Sequence, residues 1–234
     1  MEQCIIKRCF LLFFLVFTSV YSIFSQEIVT AEQYLKTVSD RYAEIRDYEA
    51  RIIIRSGNSG EMFGTVSHLA PSLFRIDFST PAEQVIVFNG ETLTVYLPDY
   101  RSTLTQTISA RRPSASTGAG IASSQGLSLL RRNYIPAFVA SPEPVPLDSG
   151  SEELVVKLRL ARRSVSEGFR EIILDINPET LLIRRIEGRT IADSIVRFDF
   201  SNMKINQGIP EQRFVYDSPA NSNMYNNFLF RDTE

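Results

Sequence analysis

The chain has 234 residues, 25 of them basic and 27 acidic, with a formal net charge of −2, one histidine (His68), two cysteines (Cys4 and Cys9) and no tryptophan. That balance gives no reason to expect nucleic acid as a partner. So small a stock of histidine and cysteine leaves little from which to build a metal centre or a nucleophile–base pair.

Lys7 and Arg8 precede an uncharged apolar run, Phe10 to Val20. Even counted from Cys9 to Phe24, the stretch is shorter than the ~18–20 residues of a spanning helix. It predicts a signal peptide over residues 1–25, an exported protein, and one mature domain over 26–234. Both cysteines leave with the signal, which excludes disulfides, thiolate metal sites and cysteine nucleophiles from the mature chain.

Thr30-Ala31-Glu32-Gln33 is a capping-box pattern, and Ala31, Tyr34, Leu35, Val38, Tyr42 and Ile45 recur behind it at helical spacing. Together they predict an amphipathic helix over about Thr30 to Arg46. The period then becomes two: Tyr48, Ala50, Ile52 and Ile54 alternate with Glu49, Arg51 and Arg55. Further strands are expected over Met62 to Leu69, Phe74 to Phe78, Glu83 to Phe88, Glu91 to Leu97 and Arg101 to Ile108. Asn89-Gly90 predicts a type I′ hairpin turn with positive φ at both residues. Hairpins this closely spaced argue an antiparallel sheet.

Ser109 to Ser124 reads as a flexible loop, and Gln125 to Ile135 as a short helix. Pro136, Pro142, Pro144 and Pro146 then suggest an extended connection. Strands resume over Glu153 to Ala161, Phe169 to Ile176, Leu181 to Ile186 and Thr190 to Phe200. A last segment, Arg213 to Tyr216, precedes a polar tail ending at Asn226-Asn227-Phe228-Leu229-Phe230. About ten strands and two or three helices predict a mainly β fold, one large curved antiparallel sheet with a few helices.

Little here suggests catalysis. His68 stands alone in a strand, where a packed or solvated role is the ordinary one, and no serine-elbow motif accompanies it. Gly118-Ala119-Gly120 before a helix lacks both the third glycine and the βαβ context of a dinucleotide loop. Asp77, Glu83, Asp175, Glu187 and Asp199 are the acids that could form a carboxylate pair, and nothing in their spacing brings two together. The pairs Arg111-Arg112, Arg131-Arg132, Arg162-Arg163 and Arg184-Arg185 fit solvated strand ends or a docking surface. What remains is apolar surface. Many strands face few helices, which leaves either an incompletely filled cavity or a fully packed barrel.

The stretch from Phe63 to Pro98 resembles the LolA family of outer-membrane lipoprotein carriers. The shared pattern is carried by Pro71, Phe74, Pro81, Asn89, Gly90, Leu93, Tyr96 and Pro98, and more loosely by Ile172 to Ile176, Asn177-Pro178, Ile209-Pro210, Phe214 and Pro219. The resemblance implies an incomplete antiparallel β-barrel with a helical lid over a hydrophobic cavity, and a periplasmic chaperone without cofactor. Such a carrier takes acylated lipoproteins from an inner-membrane ABC-type transporter toward an outer-membrane acceptor. It implies lipid contact at Phe74, Ile76 and Phe78, and a lid at Leu127, Leu130 and Arg131. The arginine that many carriers have before the first motif proline is Ala70 here, which makes Arg75 or Arg131 its candidate replacement at the lid. Two alternatives stay open: a lipoprotein- or lipid-sensing module of the same fold, and an enzyme acting through carboxylates.

Overall fold

The computed structural model describes residues 29–57, 60–108 and 121–228. The expected signal peptide, the loop with Gly118-Ala119-Gly120, Arg111-Arg112 and the end of the polar tail lie outside the described residues. Helix α1 spans Ala31–Ala43. Its capping box forms as expected: Thr30 Oγ1 accepts from the Gln33 amide at 3.2 Å, and Gln33 Oε1 accepts from the Thr30 amide at 2.9 Å. The helix stops three residues before Arg46, because the chain must enter the first strand at Asp47.

Six strands follow: β1 (Asp47–Ser56), β2 (Glu61–Leu69), β3 (Leu73–Thr80), β4 (Val85–Phe88), β5 (Thr92–Leu97) and β6 (Ser102–Thr107). Helix α2 is Ser124–Asn133, capped by Ser123 Oγ accepting from the Gly126 amide at 3.0 Å. Then come β7 (Tyr134–Phe138), the two-residue β8 (Val145–Pro146), β9 (Leu154–Arg162), β10 (Phe169–Ile176), β11 (Ile183–Thr190), β12 (Ile195–Ile205) and β13 (Asn223–Asn226). All lie in one sheet of order β13-β6-β5-β4-β3-β2-β1-β12-β11-β10-β9-β7, with β8 beside β9. The sheet is curved and not closed. Every pairing is antiparallel except β13 on β6.

Four local readings change. The residues expected to finish a helix and begin a loop, Tyr134 to Phe138, form edge strand β7 against β9. Val139 donates to the Lys157 carbonyl and Arg163 to the Asn133 carbonyl, so the β7 residues that bond inward are 135 and 137. Tyr134, Pro136 and Phe138 therefore turn their backbone groups outward, and proline, which has no N–H to offer, occupies the middle of that open edge. At Asn89-Gly90 only Gly90 has positive φ, +97°. The Asn89 side chain accepts from the Glu91 and Thr92 amides at 3.0 and 2.8 Å, which lengthens the connection to three residues in place of the two-residue type I′ turn. The strand expected from Thr190 begins at Ile195, because Thr190 donates to the Ser194 carbonyl and turns the chain there. β13 falls in what read as polar tail.

Each strand divides its residues between two faces. The inner face carries Tyr48, Ile52, Val66, Ile76, Phe78, Leu158, Leu174 and Phe200, and against it pack Leu35, Val38 and Tyr42 of α1 and Leu127 and Leu130 of α2. The outer face is charged. Glu61, Arg55, Asp199, Arg185, Asp175 and Lys157 come from six neighbouring strands, β2, β1, β12, β11, β10 and β9, and each contacts the next. Farther along the same face, Val85, Val87 and Phe214 make a small second core with Tyr216. The chain after β12 reaches it across the outside of the sheet. Asp47 accepts from the Gln207 and Gly208 amides, and Arg75 donates to the Arg213 and Val215 carbonyls.

Candidate apolar binding site

Strand β3 turns Phe74, Ile76 and Phe78 to the inner face and Arg75 and Asp77 to the outer one. All three apolar side chains are buried, at 7%, 1% and 6% exposure. Their neighbours follow from register: His68 and Phe88 flank Phe74, Val66 and Ile86 flank Ile76, and Gly64 lies beside Phe78. Gly64 is glycine because β3 runs so close; a Cβ there would stand 2.5 Å from the Asp77 carbonyl oxygen.

The three do not share one environment. Ile76 and Phe78 belong to the core that the helices pack, whereas Phe74 and Leu93 are buried outside it. Phe74 instead meets Phe88 at 5.9 Å between ring centroids, and Phe88 pairs in turn with Leu93 on β5. Phe88 and Leu93 extend the apolar inner surface toward β6 and the edge strand β13. The alternation Ile86, Phe88 and Leu93, Val95 across the Asn89-Gly90 turn was the sequence signal for them.

Over this face lie the two helices. Leu127 and Leu130 of α2 are fully buried, while Arg131 points along the seam between the helices, its Nε 3.8 Å from Glu32 Oε1 of α1. At that distance the pair attracts without a hydrogen bond. Arg131 Nε and the Tyr34 hydroxyl are both buried without a hydrogen-bond partner among the described residues. Tyr34 packs on Phe138 of β7 at 6.0 Å, and burial pushes its phenol up to about 12. Buried polar atoms without a hydrogen bond cost free energy that exposure to water would recover. Arg75, the other candidate for the lid, is on the opposite face, bound to Asp77 and lying 5.6 Å from the Tyr216 ring centroid.

His68 is buried against the Tyr48 ring at 5.1 Å between centroids, and desolvation pushes its imidazole down to about 4, so it is neutral near pH 7. The acids are dispersed along the outer face and paired with cations: Asp77 with Arg75 and Arg213, Glu187 with Arg197, Asp175 with Lys157, Asp199 with Arg55 and Arg185. Glu83 is exposed in the β3–β4 turn.

An open antiparallel sheet, apolar within, charged without and covered by two helices, defines a LolA-like fold, a class whose members generally bind and do not catalyse. Residues 55–129 match the family model described as outer membrane lipoprotein carrier protein LolA, so the chain carries a LolA-family region; that family is typically periplasmic. Among solved structures, an uncharacterized conserved protein from Thermus thermophilus is 14% identical, with TM-score 0.52 over 82% of this chain and 98% of its own. MucB is also 14% identical, with TM-score 0.51 over 83% of this chain and 65% of its own. A LolA superfamily protein from Nitrosomonas europaea matches at 14% identity and TM-score 0.43, over 80% of this chain and 98% of its own. No curated protein matches.

Proposed function

We propose that this protein is a periplasmic lipoprotein carrier, exported by a signal peptide over residues 1–25 and mature as one domain over 26–234. It shields the acyl chains of lipoproteins released by an inner-membrane ABC-type transporter and ferries them toward an outer-membrane acceptor. The observation that carries this reading is the split of the inner face. Phe74, Phe88 and Leu93 continue the apolar surface beyond the part on which the helices pack, and beside it the helix seam leaves the Tyr34 hydroxyl and Arg131 Nε without hydrogen-bond partners among the described residues. Acyl carbon gains about 0.8 kcal/mol per buried CH₂, so one ~16-carbon chain prefers such a surface to water by on the order of 10 kcal/mol. Against that gain stands the apolar burial of Leu35, Val38, Leu127 and Leu130 beneath the helices, to which the 3.8 Å Arg131–Glu32 pair adds little. The reading assigns lipid contact to Phe74, Ile76 and Phe78 and the moving lid to Leu127, Leu130 and Arg131. No catalytic role is assigned to any residue.

Native mass spectrometry of protein released gently from the cell envelope tests it. The expected spectrum carries added mass matching intact acylated lipoprotein, removed by detergent. Unliganded protein alone, across growth conditions, overturns the reading. A sensing module would hold its lipid when mixed with acceptor membranes, where a carrier gives it up.

A further inference from the structure

The sheet has one end unlike the rest of the molecule. Strand β9 returns to β10 through 163–168, and β11 returns to β12 through 191–194; the intervening β10–β11 turn is at the opposite end, so the two tips are together. Arg170 Nη2 donates to the Ile191 carbonyl at 2.7 Å and ties them. Arg163 donates from its amide to the Asn133 carbonyl at 2.8 Å and from Nε to the Tyr134 carbonyl at 3.1 Å, which adds the end of α2 to the same rim.

Two properties coincide on this rim. The first is apolar side chains held in water: Val165 is 82% exposed, Ile191 58% and Ile135 51%. Hairpin tips in water favour glycine, asparagine, aspartate and serine, and nothing in the turn geometry asks for valine or isoleucine. The second is positive charge. Segments 131–135, 162–170 and 189–194 contain Arg131, Arg132, Arg162, Arg163, Arg170 and Arg189 against Glu167 and Asp193, with Glu32 of α1 beside Arg131, in a chain whose net charge is −2. Asp193 is already shared by Arg170 and Arg189, at 3.9 and 3.3 Å. Arg132, Arg162 and Arg163 have no acidic partner among the described residues.

We propose that this rim docks on an anionic lipid bilayer, with Val165, Ile191 and Ile135 entering the headgroup layer and the arginines meeting lipid phosphates. An interfacial membrane contact combines these two terms, apolar burial at the headgroup boundary and attraction of arginine to anionic lipid. The inference does not depend on what the interior holds. It gives the protein a way to attend a membrane surface, with the end of the α2 lid facing that surface.

The test is co-sedimentation of the mature protein with vesicles of phosphatidylcholine alone and of phosphatidylcholine mixed with phosphatidylglycerol. Binding is expected on the mixed vesicles only, weakening as salt is raised. Arg132→Gln with Arg162→Gln is expected to weaken it about fivefold per arginine removed. Val165→Ser with Ile191→Ser is expected to weaken it about tenfold, and melting midpoints are expected to stay within a few degrees because Arg132, Val165 and Ile191 are exposed and half-buried Arg162 makes only a 3.5 Å bond to the Val165 carbonyl. Equal sedimentation with both lipid mixtures, or folded variants that bind like the parent, overturns the proposal. Vesicle binding without any co-purified lipoprotein would leave the membrane surface standing and remove the carrier reading alone.

Discussion

The Tyr42 hydroxyl, at the buried end of helix α1, accepts a hydrogen bond from the Ile183 amide of β11 at 3.1 Å. That amide begins its strand and has no ladder partner on that side, so the phenol both satisfies it and fixes the helix over the sheet. Burial holds the Tyr42 proton well above its ordinary range, keeping the group neutral. Tyr42→Phe keeps the packing and strands the Ile183 amide. It is expected to cost about 1–3 kcal/mol in urea unfolding at unchanged m-value.

Phe74 and Ile76 separate the two parts of the inner face. Ile76→Glu sets an unpaired carboxylate in the helix-packed core, at a cost of several kcal/mol against a total stability of about 5–15 kcal/mol. That variant is expected not to fold. Phe74→Glu, outside that core, is expected to fold with a modestly lowered melting point and to lose co-purified lipid. A folded Phe74→Glu protein with normal lipid content would remove Phe74 from the site.

Gly64 and Gly188 make a second contrast. A Cβ at Gly64 meets backbone, the Asp77 carbonyl oxygen at 2.5 Å and Phe78 Cα at 3.1 Å. At Gly188 it meets the Phe169 ring at 2.6 Å, a partly buried side chain in place of backbone. Gly64→Ala is expected to cost about 1–3 kcal/mol by overpacking, and Gly188→Ala less than half of that. Equal losses in denaturant titrations would mean that β2 and β3 can part more easily than their spacing suggests.

Stability is expected to fall on acidification. His68 titrates at about 4 in the folded protein and at about 6.5 when unfolded, so between those values the unfolded chain binds the extra proton. The contribution is complete above pH 6.5 and is lost as pH falls toward 4, up to roughly 3 kcal/mol. Asp175, whose carboxyl burial raises, works in the opposite sense in the acid range. The measurement is therefore the difference between wild type and His68→Gln, whose unfolding free energy should fall less over the same interval.

Much of the fold was legible in local pattern. Thr30 and Gln33 announced the helix start, and Phe74, Ile76 and Phe78 announced a strand with one apolar face. The edges were not. Pro136 argues against a strand wherever its missing N–H would be needed, and only the position of β7 at the margin makes it harmless. β13 has no alternation to read, since Asn223–Asn226 is exposed on both sides and is held by backbone pairing to β6. At the proposed lid, the family resemblance pointed to Leu127, Leu130 and Arg131, but the seam sets Arg131 near Glu32, and no local signal links residues so far apart in the chain. The acids Asp175, Glu187 and Asp199 were visible one by one; strand register turned them into partners of Lys157, Arg197, Arg55 and Arg185.

The chain of side chains from Glu61 through Arg55, Asp199, Arg185 and Asp175 to Lys157 alternates in sign at every step across six strands. Charges so arranged cancel one another a short distance out, and salt at physiological strength erases what is left beyond about 8 Å. Seen by an approaching molecule, the broad back of the sheet is electrically quiet. The long-range field is left to the groups whose countercharges lie elsewhere, the arginines around the hairpin tips among them, and an uneven placement of such groups gives the molecule a preferred orientation toward a charged surface before any contact is made.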